Sequence, residues 1–428
     1  MGHVDSKGVY RNLQKRLDKN PIGAPESAVL YEILGTLFTE EEASIAAQMP
    51  FTFASTRRVA KILGLPEEEA QNKLESMAER GLLFDIERKG RSYWYLNPTV
   101  IGFFEFSMMR LRPDIDQGAL ANHLHSYFFE DPQLSFLREV GSMGDTQLFR
   151  PLVHEDPIAD TAAEVLDYER ATNIVENAGK WAVGMCHCRH VAEHKNEACD
   201  TPMEICLTLS TAADTLTRRG LAKEITKQEA LDILTDAKER GLVQMGDNVK
   251  KGVMFICNCC SCCCCLLQGY RRLRDQTHVQ TSNFEAVIAS AECTRCGICV
   301  EACPVDAITS EGKGKQRTID VALDYCLGCG VCATKCPEGA MKMEPREARV
   351  HTPENAVERV VRMSLERGKL QNIIFDDANS ITHGALRMVV KAVLRLPPAK
   401  QLLASEQLRS KFVNRFLKLA SNKPGADM

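Results

Sequence analysis

Cys293-Thr-Arg-Cys296-Gly-Ile-Cys299-Val-Glu-Ala-Cys303-Pro304 returns thirty-three positions later as Cys326-Leu-Gly-Cys329-Gly-Val-Cys332-Ala-Thr-Lys-Cys336-Pro337. This spacing is the bacterial iron–sulfur signature, and eight thiolates so placed can hold two 4Fe–4S cubanes. Three cysteines at intervals of three wrap a tight loop around one corner of a cubane, and a fourth thiolate has to come from elsewhere. Gly297 and Gly330 occupy matching places, where the backbone is expected to approach inorganic sulfide without a Cβ in the way. Pro304 and Pro337 fix the chain as it leaves each loop and leave no N–H to satisfy.

The repeat resembles the bacterial-type two-cluster ferredoxin domain over about residues 284–346. Val305-Asp-Ala-Ile308 and Glu338-Gly-Ala-Met341 match the stretch that follows each cluster loop in that family. The resemblance implies an exchange of the fourth ligand between the halves. One cluster then takes Cys293, Cys296, Cys299 and Cys336; the other takes Cys326, Cys329, Cys332 and Cys303. Zinc is the alternative for paired Cys-x-x-Cys units. It rarely uses three evenly spaced cysteines followed by Cys-Pro, repeated intact.

All nineteen cysteines lie between Cys186 and Cys336, and the preceding 185 residues have none. A secreted disulfide scaffold would be short, with its cysteines spread along it. The thiols therefore point to metal, a reducing cytoplasmic setting and an anaerobic host. Met1 to Asn20 is polar and lacks the apolar run of a signal peptide. Val100–Leu111 is too short to span a bilayer and carries Glu105 and Arg110. A net charge of −4 favours no polyanionic partner.

A second cysteine field precedes the repeat. Cys186, Cys188, Cys199 and Cys206 form one candidate metal set. Cys186 and Cys188 are spaced to share a face of an extended strand. Thr201-Pro-Met-Glu204 predicts a capped helix carrying Cys206 about one turn in. A second capping box, Thr226-Lys-Gln-Glu229, predicts a helix to about Arg240. Gly252-Val-Met-Phe-Ile256 reads as a strand delivering Cys257-Asn-Cys-Cys-Ser-Cys-Cys-Cys-Cys265. Seven thiols in nine residues have no rationale as core. Cys257, Cys259 and Cys260 join the candidate metal ligands, and the Cys262–Cys265 run stays unassigned. A further iron–sulfur cluster is expected here, with structural zinc and a redox-active dithiol as alternatives. His187, His190 and His194 are ligand options or partners to the ligands, and Arg189 can offset thiolate charge.

The expected architecture is multidomain α+β. It comprises an N-terminal winged-helix-like domain (26–112), a connector (113–165), a cysteine-rich α+β metal-binding middle domain (166–275), a ferredoxin-like dicluster domain (284–346) and a helical basic tail (351–428). The order is similar to that of an uncharacterised group of multidomain iron–sulfur proteins from anaerobes. That group carries Cys-x-Cys-Arg and Ile-Cys-Asn-Cys-Cys segments, and the likeness runs over about residues 26–346. In the front domain, helical patterns at 26–38, 40–49, 55–63 and 66–80 precede strands at 82–87 and 92–96. The helix that would enter a DNA groove has five acids and two bases, which opposes a polyanion. A protein-docking role fits it better. From Arg387 to Lys423 nine bases face one acid, and Leu408, Phe412, Val413, Phe416 and Leu417 form an apolar stripe. Such a helix can pack on its own domain, lie on an anionic membrane or dock on an acidic partner.

The expected function is a relay of single electrons between redox partner proteins, as a subunit rather than a stand-alone enzyme. The alternatives are a redox-sensing winged-helix regulator and an oxidoreductase with a substrate-binding cluster. No dinucleotide fingerprint, phosphate loop or nucleophile–base pair stands in the sequence.

Overall fold

The computed structural model describes residues 6–141, 144–158, 167–274 and 279–396. The chain opens with helices α1 (Ser6–Leu17), α2 (Ala28–Leu37) and α3 (Glu40–Ala46), the short strand β1 (Ala54–Ser55), helices α4 (Thr56–Leu63) and α5 (Glu67–Glu79), and the hairpin β2 (Leu83–Arg88) and β3 (Arg91–Leu96). Each expected helix and strand of this region appears within a few residues of its anticipated bounds. Thr39 and Glu42 form a reciprocal capping box at α3, and Gly64 ends α4 in the left-handed region.

The stretch read as a connector with aromatic helical patches carries regular elements. After α6 (Phe104–Met108), it contributes α7 (Gln117–Phe129), α8 (Ser135–Gly141) and strand β4 (Phe149–Leu152). Phe104, Phe128 and Phe136 pack edge to face here, which accounts for the aromatic patches in the sequence. β4 then becomes the edge of the middle sheet.

That sheet also contains β5 (Trp181–Met185), β6 (Glu204–Leu209), β7 (Lys223–Ile225), β8 (Val243–Asp247) and β9 (Phe255–Cys259). It is antiparallel throughout, in the order β4-β8-β9-β6-β5-β7. Helices α9 (Ala171–Glu176), α10 (His187–His194), α11 (Ser210–Arg218), α12 (Lys227–Glu239) and α13 (Cys265–Leu273) connect its strands or flank it. One face buries Leu152, Leu207, Leu209 and Ile256 against Val175, Ala230 and Leu234. Side chains alternate along a strand, so Cys206, Phe255, Cys257 and Cys259 point to the other face.

Three expectations for this region fail. Thr201–Glu204 opens no helix, because Ile205 to Leu209 is a central strand flanked by β5 and β9. A run buried on both faces fits a central strand, whereas an amphipathic helix would leave one side wet. Cys188 does not share an extended strand with Cys186. Cys186 caps α10, and Cys188 lies within the helix. The strand read at 252–256 lies further on, so Cys257 and Cys259 are part of it. The Thr226–Glu229 capping box forms as expected.

The repeat folds as two short two-stranded antiparallel sheets with a pair of short helices. β10 (Phe284–Ile288) pairs with the distant β13 (Met341–Pro345), and β11 (Ile308–Glu311) with β12 (Thr318–Val321). Helices α14 (Ile298–Ala302) and α15 (Val331–Thr334) follow the two cysteine loops. The described part of the tail, α16 (Ala356–Glu366), α17 (Leu370–Ile374) and α18 (Ile381–Arg395), returns to the body. Arg359 pairs with Asp247 of β8, and Arg58 of α4 meets Asp376 at 2.7 Å. On α18, Met388, Val389 and Val393 are exposed. The stripe at Leu408–Leu417 lies outside the described residues. Among the described residues no helix is long and apolar enough to cross a membrane.

Candidate functional site

The two copies of the cysteine repeat share their backbone conformation. Arg295 and Gly328, Gly297 and Gly330, and Asp306 and Gly339 are equivalent pairs, and all six have positive φ. Gly297 and Gly330 therefore answer first to backbone conformation. A Cβ on Gly330 would also press on the backbone of His154. The loops surround two small cavities. Cys293, Cys296, Cys299 and Cys336 line one. Cys303, Cys326, Cys329 and Cys332 line the other. These are the two crossed sets that the resemblance implies.

The two cavities differ in depth. Cys296 is exposed and Cys293 half-buried, whereas Cys326, Cys329 and Cys332 are all buried. Desolvation pushes the Cys329 thiol up to about 12 and raises Cys332 well above the ordinary thiol range. A metal there would have to displace thiol protons on binding. The deep side leans on the middle sheet. His154 donates its backbone N–H to Cys329 O, places Nδ1 2.9 Å from Thr334 Oγ1 and places Nε2 3.0 Å from Leu242 O. Desolvation holds its pKa at about 4, so the ring is neutral. Tyr270 of α13 stacks on Tyr325 at 4.7 Å, and each hydroxyl donates to the other's carbonyl. Tyr325 immediately precedes Cys326, and α13 begins at Cys265, so this pair joins the two cysteine regions.

In the middle region the expected set of Cys186, Cys188, Cys199 and Cys206 does not converge. Helix geometry turns Cys188 away from Cys186, two positions earlier. Cys186 instead hydrogen-bonds Cys206, its neighbour across the β5–β6 bulge. The Cys206 thiol lies beside that of Cys257, Cys257 beside Cys259, and Cys259 beside Cys264. Cys188 bonds Cys264 and Cys265. Cys257 and Cys259 meet because they are two apart on a strand. The sulfur of Cys265 also lies within 4.8 Å of both Cys188 and a ring nitrogen of His187. The His187 ring bonds the Phe104 carbonyl and is held neutral, with pKa about 4, by desolvation. Its Nδ1 is buried without a hydrogen-bond partner, as befits a ligand nitrogen. His190 is taken by Met108 O at 2.8 Å and lies tilted against the His194 ring. Cys199 and Cys260 leave the others and join Cys262 and Cys263, residues the sequence left unassigned.

Most of these thiols face a cavity of about 1200 Å³ between the sheet and the N-terminal region. Its walls are mainly apolar, with Phe53, Phe84, Phe106, Phe128 and Met254 among them. Glu105, Tyr95 and Arg359 supply polar points. Burial raises Glu105 to about 7, against the backbone N–H of Gly102, which donates to Oε2 at 3.1 Å. Sequence periodicity could not reveal this chamber, because its walls come from segments as far apart as Phe51 and His383.

The 4Fe-4S dicluster domain family matches residues 292–340, the span of both cysteine loops. No curated protein and no solved structure matches the chain. The chain carries a ferredoxin-like iron–sulfur domain at its repeat, together with a cysteine-rich region able to bind metal.

Proposed function

We propose that the protein relays single electrons between oxidoreductase partners through two 4Fe–4S clusters and a further centre in the middle region. The observation that carries this is the pair of four-thiol cavities, one near the surface and one buried against the middle sheet. Cys293, Cys296, Cys299 and Cys336 would hold the outer cluster, where a partner can approach. Cys303, Cys326, Cys329 and Cys332 would hold the inner one. The clusters supply reversible one-electron chemistry. This chain's part is to exclude water from the inner set and to offer backbone N–H groups to sulfur, as Ala307 N does to Cys303 Sγ at 3.2 Å. The Tyr270–Tyr325 contact supports a continuation inward to the thiols of Cys186, Cys188, Cys206, Cys257, Cys259, Cys264 and Cys265. Iron and acid-labile sulfide in anaerobically purified protein test the reading. About eight irons matched by sulfide fill the repeat, and more brings in the middle region.

The large cavity favours a second reading, an oxidoreductase in which an apolar substrate meets a centre among the middle thiols. A spectroscopic change of that centre on adding substrate would support it. Glu75 of α5 pairs with Arg219, the residue that follows α11, at 2.6 Å, and Lys73 with Glu41 at 2.6 Å. These contacts support docking within the protein over nucleic-acid binding for the front domain. Tight, cluster-dependent operator binding in a mobility assay would reverse that ranking.

A further inference from the structure

We infer that Cys199, Cys260, Cys262 and Cys263 form a closed site for one tetrahedral metal ion, distinct from any iron–sulfur cluster. Their four sulfurs lie within 4.8 Å of one another. Cys199–Cys260, Cys199–Cys263 and Cys262–Cys263 are each separated by 3.7 Å. A tetrahedral ion bound at about 2.3 Å to sulfur puts its thiolates about 3.8 Å apart. The observed spacing is that tetrahedral edge. It is far too long for a disulfide, whose sulfurs stand about 2 Å apart. It is also too short for a cubane, in which each thiolate sits on its own iron at a separate corner. The repeat shows the contrast: among the described residues, no three of its eight sulfurs come within 4.8 Å of one another.

The surroundings suit an anionic metal site. Four thiolates on a divalent ion leave net negative charge, and Arg189 stands against it. Its side chain is buried, with Nη2 3.5 Å from Cys260 Sγ, a hydrogen bond to Cys199 and Nη1 donating to Pro202 O at 2.8 Å. Thr201 brings its hydroxyl to 3.4 Å from Cys199 Sγ and its backbone N–H to the same sulfur. The Cys263 N–H serves Cys260. Such bonds orient ligands and spread their charge. The ligands come from the loop before β6 and the turn between β9 and α13, so the ion would staple the two. With four protein ligands the site has no open position, which marks it as structural and not substrate-binding. Zinc and a single ferrous iron share this geometry.

Metal and sulfide analysis of the full chain, purified without oxygen, tests the inference and distinguishes the two ions. One equivalent of zinc, or one of iron in excess of labile sulfide, is expected. Cys262→Ala, at an exposed position, should lose that equivalent and leave sulfide unchanged. Cobalt supplied in place of the native ion should give tetrahedral thiolate charge-transfer bands in the wild type and lose them in the variant; the wild-type spectrum is informative even if the variant folds poorly. Absence of any metal beyond sulfide-matched iron, or loss of iron and sulfide together in the variant, would overturn it.

Discussion

The two cysteine regions gather their thiols by opposite means. In the repeat, spacing along the chain does most of the work. Three cysteines sit on one loop, left-handed residues recur at equivalent positions, and the sulfurs stay spread around small cavities. In the middle region, spacing is a poor guide. Neighbouring cysteines go to different groups, and the sulfurs touch in pairs or crowd into a compact set. The lesson is that a ligand motif is legible when one loop supplies most of it, and obscure when strands, helices and turns each supply a piece.

The largest effect expected from breaking this contrast is on cluster content. Cys329→Ser should remove about half of the repeat's iron and sulfide, since each set supplies one of two clusters. Cys186→Ser should leave the repeat's share intact. Equal sulfide loss from both substitutions would show that the regions are not chemically separate. Next is the joint between them. Tyr270 is fully buried, so Tyr270→Ala should lower stability by about 3–5 kcal/mol, read as a fall in the denaturation midpoint. The same change should slow electron exchange between repeat and middle region in flash-reduction kinetics.

The cavity wall supplies a pH test. Glu105 titrates near 7 when folded, against a reference of 4.5. The folded state thus holds a proton that the unfolded state releases, and the Glu105 contribution to stability falls as pH rises from about 4.5 to 7, then levels off, opposite in sign to the contribution of the neutral rings of His154 and His187. Glu105→Gln should remove that slope, which is at most about 1.4 kcal/mol per pH unit. An unchanged stability–pH curve would mean that Glu105 is open to solvent. The smallest effects lie within the repeat. Gly328→Ala should cost about 1–2 kcal/mol from its left-handed backbone, and more from contact with the Phe284 carbonyl. At the equivalent position Arg295 already bears that conformation. Arg295→Gly should therefore stay within about 0.5 kcal/mol of wild type, as relief of strain offsets the added freedom of the unfolded chain.

The front helices, the β2–β3 hairpin and the Thr226 cap were legible because local periodicity, capping and turn residues agreed with the final packing. Thr201–Glu204 misled for the converse reason. Its capping pattern is genuine as a pattern, but β5 and β9 offered Ile205–Leu209 two ladders of backbone hydrogen bonds and burial on both faces. Thr201 went to the Cys199 sulfur instead of a helix N-terminus. Within the connector β4 was not legible, because it has little meaning until β8 lies beside it.

What the sequence determined by itself is the tandem cysteine loop, because cysteine spacing, glycine conformation and proline exits act over a dozen residues; the crossed sharing of Cys303 and Cys336 came from the family resemblance. Only the tertiary structure decided how the eleven other cysteines divide, which cluster site lies inward, and that a chamber opens beside the thiols. Those outcomes depend on whether two positions along the chain fall on a strand, where they share a face, or on a helix, where they part. That choice belongs to the packing of the whole sheet.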